Sequence, residues 1–557
     1  MRDLGTAAPE RPSPSAEVTA KPDLTHWLHT GLSLAAVIGL VVGTRVYWTE
    51  FALPRPGLAI VLTLGYGVML VASVLVLCVR TTAALARLDI VVLGTAVVIK
   101  AVSLWPAITG DKEIRVDEGV LMDHAARTLA AGHNPYLAQW PDIDPARATR
   151  LMDGGAAFGL GYPPFGVEMG AAVERVAGSL TGVVVLSTLA LLLTAVLVFF
   201  MAPVQLRPLA TAGILGTGVL TAYAENAYPS LIALPLLCVA VWNWPSIGRG
   251  GRLGAFGIVR AVAIGLAACT HQLGWFLAVF LLAGLLLLRR GRPAVVLRYA
   301  GVALAAGLLV NLPFLVTDAA AWLHGVTEPL TQHAVPHGQG LMAISYHLIG
   351  GSGSLGFYGH ASIALLLALL AAFALNLPWL GRAAVALPWI LFYVALRSQD
   401  GYWVLTMPLW VAGLVTTTQA DFAGAWRPRV PYRRWVTAAL FVPALACLGI
   451  AIASPQPLRM RLTTPVVAGQ QVRQLTVDVT NRSSKPVSPH FTVTDGVYLG
   501  QFWTVSSGPA SLDPHATARY TLVPPQVWKP APTGTALLRA VSDRPQTLSS
   551  LRILSPR

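Results

Sequence analysis

Long apolar runs follow one another along most of the chain, parted by short polar breaks. They lie near residues 30–48, 57–79, 88–108, 179–201, 208–224, 229–245, 255–270, 272–288, 296–316, 355–377, 382–396, 402–418 and 435–454. A helix of about 20 residues crosses a bilayer's hydrocarbon core. Lipid offers the backbone no hydrogen-bond partner, so each run predicts a helix rather than an open strand. The pattern therefore predicts an all-α polytopic membrane domain over residues 29–454, with about thirteen transmembrane helices.

The polar breaks set the sidedness. Arg80 and Arg87, then Arg207, then Arg249, Arg252 and Arg260, then Arg289, Arg290, Arg292 and Arg298, then Arg382, and finally Arg427, Arg429, Arg433 and Arg434 fall in breaks that share one side with this span list. Basic loops mark the cytoplasmic side. The opposite, extracytoplasmic side receives the outer loops 109–178 and 317–354, the short loop 397–402 and everything after about residue 455. Residues 1–28, rich in Pro, Ala and Ser, read as a disordered cytoplasmic N-terminus. They are too polar, and too long before the first apolar run, for a cleaved signal peptide.

From residue 455 the period changes. QVRQLTVDVTN, HFTVTDG, GQFWTVSSG and ARYTLVPP enrich β-formers between Gly, Pro, Asn and Asp breaks. About seven short strands at this spacing predict a C-terminal all-β immunoglobulin-like sandwich over 455–557.

Composition sharpens the class. The chain of 557 residues is 55% hydrophobic and 11% charged, with a mean hydropathy of +0.63. A soluble domain carries about a quarter charged residues, so the lipid bilayer is the solvent here. The net charge of +14 does not point to nucleic acid, because the basic residues sit beside spans, where they set topology. Cys78, Cys238, Cys269 and Cys447 all lie within apolar runs, where no disulfide framework is expected.

One outer segment stands apart: VDEGVLMDHAARTLAAGHNPY, residues 116–136. Leu121, Ala125 and Leu129 recur on one helical face, with Asp123, His124 and Arg127 on the other. This predicts a short amphipathic helix lying at the membrane surface, stopped by Gly132. Asn134-Pro135-Tyr136 then forces an extended turn. Asp117 reads either as a helix cap or as a carboxylate general base facing a substrate at the membrane surface. Asp123 reads either as a solvated face or as a reserve for that base.

The outer-face cations are few. Lys100 sits inside a span, where an ionisable group raises a functional question, although it could also snorkel to the interface. Arg397 opens the loop RSQDGY, and His271 interrupts a long apolar stretch at an outer turn. His324, Glu328, His333 and His337 populate 321–340, but Pro336 breaks any helix that would align the last two for zinc. A polar loop that closes over a substrate is the expectation there. Asp111, Asp142, Asp144 and Asp153 read as solvated loop acids, any of which could help hold Mg²⁺ or Mn²⁺.

Asp117-Glu118 after an early membrane helix, the amphipathic helix, Asn134-Pro135-Tyr136 and Gly161-Tyr162-Pro163-Pro164, in that order, resemble the glycosyltransferase C superfamily. The nearest flavour is that of actinobacterial mannosyl- and arabinosyltransferase-like proteins, and GLAACTHQLGWFLAVFLL (265–282) is similar to a run they often carry. The resemblance covers roughly residues 30–420. Here about two extra spans precede the acidic loop, and Val120 and Leu121 stand where that family often has Tyr.

The resemblance implies a polyprenyl-phosphate sugar donor and a cell-envelope glycan or glycolipid acceptor. It implies Asp117 as base, Glu118 orienting it or holding a metal, and Asp123 in reserve. Lys100, His271 and Arg397 would hold the donor phosphate, and Tyr136, Tyr162 and His124 would line the sugar. Metal ligands stay unassigned, with a divalent cation (Mg or Mn) left open. A lipid-linked-sugar flippase or transporter, and a non-catalytic envelope assembly protein, are the alternatives. A flippase should show internal repeats and polar groups near the midplane.

Overall fold

The structure, a computed structural model, describes residues 24–144, 147–399, 401–468, 471–495, 498–526, 528 and 536–553. The expected disordered N-terminus lies outside the described residues as far as residue 23. Residues 24–28 are already helical.

Three helices open the chain: α1 (Leu24–Phe51), α2 (Pro56–Cys78) and α3 (Thr82–Ile108). They pack on one another. A buried polar tie joins α1 to α3: His29 Nε2 lies 2.6 Å from Asp89 Oδ2, and Ser33 Oγ donates to Asp89 Oδ1 at 2.6 Å. The outer segment that follows holds α4 (Asp117–Ala130) and α5 (Phe165–Val176), and α6 (Gly182–Met201) re-enters the apolar bundle.

The count of crossings differs from the expected thirteen. Among the described residues, seven helices are long and apolar enough to cross a membrane. Two bent pairs raise the number to nine if each is one span: Gly218–Glu225 with Pro229–Val241, bent by 117°, and Leu377–Val385 with Leu387–Val394, bent by 68°. Gly254–Ala268, Leu273–Leu288 and Gly401–Thr416 are apolar but shorter.

The reason is that apolar composition serves protein core as well as lipid. All of Pro229–Val241 except Leu236 and Val239 is buried inside the protein, whereas Pro293–Thr331 exposes Leu297, Leu304, Leu309, Leu312 and Val316. The expected run 208–224 is broken by a π turn over Thr211–Leu215. Gly216 then tucks against α1, where a Cβ on Gly43 would stand 2.3 Å from the Gly216 carbonyl oxygen.

The two ends of the bundle differ in character, as the polar breaks predict. At one end Arg249 pairs with Asp421 at 2.8 Å, Arg289 Nε donates to the Ile247 carbonyl at 2.8 Å, and Arg290 lies over Trp426. At the other end the polar segments interlock with the C-terminal domain. The expected outer loop 317–354 starts as helix, since Pro293–Thr331 continues past a kink at Asp318. Asp318 Oδ1 accepts from the Ala321 N–H at 2.9 Å and restarts the helix there.

Short strands stitch this end together. They are β1 (Thr149–Arg150), β2 (Ala156–Ala157), β3 (His337–Gly338), β4 (Gly351–Ser352) and β5 (Arg397–Ser398). β1 and β2 form a hairpin, and β3 runs parallel to β5.

The C-terminal domain contains β6 (Leu458–Ala468), β7 (Gln471–Asn481), β8 (His490–Asp495), β9 (Tyr498–Ser507), β10 (Thr517–Val523), β11 (Ala536–Ser542) and β12 (Thr547–Ile553). Seven strands are thus present, as the period predicts. They join in one curled eight-stranded sheet, in the order β4-β12-β11-β8-β9-β10-β7-β6, rather than in two separate stacked sheets. The cause is β9. Its first part pairs with β8 and its last part with β10, so the two halves stay continuous. Leu475, Val477, Phe491, Tyr520 and Leu538 fill the hollow. The Leu458 N–H donates to Ser549 Oγ at 3.1 Å and brings the β6 edge towards β12.

Candidate functional site

The amphipathic helix forms where the period places it, but its apolar face does not rest on lipid. Leu121, Met122, Ala125 and Ala126 are buried, and α4 packs on α5 and α6. Gly119 lets its first turn reach the neighbouring loop, because a Cβ there would stand 2.0 Å from the Asn226 carbonyl oxygen. Asn226 also accepts from the Arg115 N–H at 2.9 Å, fixing the approach to the helix. At the far end Gly132, with φ of +88°, stops α4.

Asp117 is not the cap. Val116 holds that position, and Asp117 is the first helical residue. Its Oδ1 accepts from the Glu118 N–H at 3.0 Å. Its Oδ2 accepts from the Thr149 hydroxyl and lies 3.6 Å from Arg397 Nη2. Arg397 Nη1 also donates to Thr149 Oγ1 at 3.1 Å. One acid and one base, far apart in sequence and both singled out from it, therefore meet across a threonine. Burial works against the charge on Arg397. Asp117, Tyr402, Tyr162 and Glu118 around it nevertheless hold its pKa above the ordinary guanidinium value.

Glu118 sits beneath this pair and is buried. Burial, and then the charge of Asp117, push its carboxyl up to about 8, against the pull of Arg397 and of a hydrogen bond with Tyr162. The site thus sets the Asp117 carboxyl beside a cation and a second carboxyl, Glu118, that stays neutral below about pH 8. Tyr162 stacks on His271, with ring centroids 5.6 Å apart.

The expected phosphate cations fare differently. His271 joins the site's wall through Tyr162, but it is buried, and its Nδ1 accepts from the Leu273 N–H at 3.0 Å. That bond leaves the ring neutral, with a hydrogen on Nε2. Lys100 is fully buried between α3 and the helix Gly218–Glu225, where its amine donates to Thr221 Oγ1 at 2.7 Å. Among the described contacts it has none with Asp117, Glu118 or Arg397.

Two basic residues that the spacing did not single out as phosphate ligands neighbour Arg397 and Thr149 in these short strands. β3 places His337 opposite Arg397 in the strand register, and Arg150 follows Thr149 in β1. Burial, then the charges of Arg397 and Arg150, push the His337 imidazole below its ordinary range. The parallel pairing of β3 with β5 carried no signal in the sequence, because each strand is two residues long.

The remaining expected residues divide. Asp123 is paired with Arg127 at 2.8 Å, one turn further along α4. A cavity of about 590 Å³ lined by Arg127, Glu174 and Arg175 opens at that end of α4, away from Asp117. His124 packs on Trp140, with centroids 5.8 Å apart. Tyr136 is buried. Its hydroxyl donates to the Tyr162 carbonyl at 2.7 Å, so it fixes the Gly161-Tyr162-Pro163-Pro164 turn. Gln272 adds to this, donating to the carbonyls of Gly161 and Val326, each at 2.9 Å. No group of three or more His, Cys, Asp or Glu side chains that could hold a metal ion gathers among the described residues. Asp117 has its second oxygen turned to Thr149 and Arg397 instead.

Fold and polar end together define a multi-pass membrane protein with a β domain at its extracytoplasmic end. The chain matches no family model and no curated protein.

Proposed function

We propose that the protein is a membrane glycosyltransferase that moves a mannose- or arabinose-like sugar from a polyprenyl-phosphate donor to a cell-envelope glycan or glycolipid on the outer face. The observation that carries this reading is the meeting of Asp117 and Arg397 beside a buried, proton-holding Glu118. Sugar transfer from a lipid phosphate needs a base for the acceptor hydroxyl and a cation for the departing phosphate.

In this reading the acceptor oxygen attacks the anomeric carbon. Its proton passes to Asp117 Oδ1, which among the described residues accepts from the Glu118 N–H alone. The bond from the anomeric carbon to the phosphate oxygen breaks, and the lipid phosphate leaves with the electron pair. Arg397 turns from Asp117 towards that phosphate, with Arg150 and His337 alongside. Glu118, neutral below about pH 8, adds no second negative charge to repel it. Tyr162 and His271 wall the sugar side.

The test uses purified full-length protein in nanodiscs with radiolabelled polyprenyl-phosphate mannose or arabinose and a cell-envelope glycolipid extract. Transfer of label that stops in Asp117→Asn supports the reading. Label that reaches the opposite leaflet without a new glycosidic bond replaces it with a flippase.

A further inference from the structure

We propose that the C-terminal β domain is a positioning element of the Asp117–Arg397 site, acting through the segment 333–355, with Arg539 as its principal positioning residue. Only the activity part of the test below rests on the glycosyltransferase reading.

The segment is held from both sides. On its inner side it is woven into the site. The Met152 N–H donates to the His333 carbonyl at 2.7 Å, and the Val335 N–H to the Arg150 carbonyl at 2.9 Å. The Gln339 N–H donates to the Ser398 carbonyl at 2.7 Å, and the Leu341 N–H to the Tyr393 carbonyl at 2.8 Å. These bonds fix β1, which carries Thr149, and β5, which carries Arg397, in one backbone frame. The frame is tight: a Cβ on Gly338, whose φ is +123°, would stand 2.2 Å from the Ser398 carbonyl oxygen.

On its outer side the same segment is part of the β domain. β4 adds to the curled sheet as its edge strand beside β12. The Leu355 N–H donates to the Gln546 carbonyl at 3.1 Å, and His333 pairs with Asp543 in the turn between β11 and β12. Met152, Val335, Met342, Tyr346 and Leu355 share an apolar cluster with Val541 and Leu548.

Arg539 is the buried charged side chain of this contact. It is fully buried in β11, with its guanidinium carbon 3.3 Å from the Tyr346 ring centroid. Its Nη1 donates to the Tyr346 carbonyl and its Nε to Thr494 Oγ1 at 2.9 Å, and Nη2 has no hydrogen-bond partner among the described residues. A buried charge of this kind needs its partners in place. The partner carbonyl belongs to the segment, so the segment is held where Arg539 can reach it. The β domain thereby sets where β3 stands, and β3 sets where Arg397 stands.

The test is hydrogen exchange on the full-length chain in nanodiscs, comparing Arg539→Met, Arg539→Lys and Asp543→Ala with the parent. Arg539→Met is expected to speed exchange of the Gln339 and Leu341 amides at least tenfold, with Arg539→Lys restoring most of the protection. Asp543→Ala, which leaves the sheet core intact, is expected to give a smaller change of the same sign. Where transfer is measured, the donor KM rises about tenfold in Arg539→Met, as displacement of Arg397 from the phosphate requires, and Arg539→Lys brings it back to within about threefold of the parent. Unchanged protection at Gln339 and Leu341 in both Arg539→Met and Asp543→Ala overturns the proposal. So does retained protection there when Arg539→Met has unfolded the β domain. Loosening of these amides in a protein that transfers no sugar in any form leaves the positioning role standing and removes the glycosyltransferase reading.

Discussion

Arg397 is the most informative residue to perturb, because in the free protein it faces an anion of its own chain. At 3.6 Å from Asp117 Oδ2, two unit charges attract by about 4–5 kcal/mol at an effective dielectric near 20. Arg397 is 25% and Asp117 20% exposed, so solvent screening lowers this to about 1.5–3 kcal/mol, roughly 10- to 100-fold in an equilibrium. A donor phosphate must compete with Asp117 for the guanidinium. Arg397→Met therefore weakens donor binding by about 100-fold. Asp117→Asn is expected to act in the opposite direction, since it frees the guanidinium: donor binds about 10- to 100-fold tighter while transfer stops. In the double variant the two effects do not add. The assay is equilibrium binding of a non-transferable polyprenyl-phosphate sugar analogue in nanodiscs, alongside single-turnover transfer. Equal weakening of binding by both substitutions, or transfer surviving in Asp117→Asn, would refute the reasoning.

Glu118 gives a pH prediction. Its proton is held to about pH 8 in the folded protein, above the ordinary value of about 4.3. Ionising it is thus disfavoured by folding, and the folded state loses stability as pH rises between those values. In the parent, kcat/KM falls above about pH 8 as a second negative charge enters the site; in Glu118→Gln that alkaline limb disappears, which a pH profile reads directly. Gly338→Ala drives a Cβ towards the Ser398 carbonyl and is expected to lower stability by about 2–4 kcal/mol and transfer by more than tenfold, checked by thermal unfolding and turnover. Lys100→Met, by contrast, removes a buried amine whose hydrogen bond among the described residues goes to Thr221 and leaves donor binding within about twofold of the parent, at equal or higher stability. A loss of binding in Lys100→Met as large as that in Arg397→Met would return this lysine to the phosphate.

Much of the membrane architecture was legible because hydropathy is a property of each stretch by itself. The helix 117–130 and the strands after 455 follow from period alone. The number of crossings was not legible, since Pro229–Val241 is as apolar as a lipid-facing span yet is buried in protein. The pairing of His29 with Asp89 was not legible, because each stands at the end of its own apolar run and only the packing of α1 on α3 brings them to 2.6 Å. Of the three cations picked from sequence, only Arg397 reaches the acid as a charge. Lys100 turns inward to Thr221, and His271 gives its Nδ1 to a backbone amide.

By itself the sequence determined that the chain lives in a bilayer, that most of its acids part from its basic loops to the opposite end, and that Asp117 and Glu118 head a helix at the acidic end. Only the tertiary structure decided which cation meets them. Arg397 reaches Asp117 because β5 lies beside β3, and β3 lies where the β domain holds it. Such register depends on hydrogen bonds and packing between segments distant along the chain, which leave no period in any one of them.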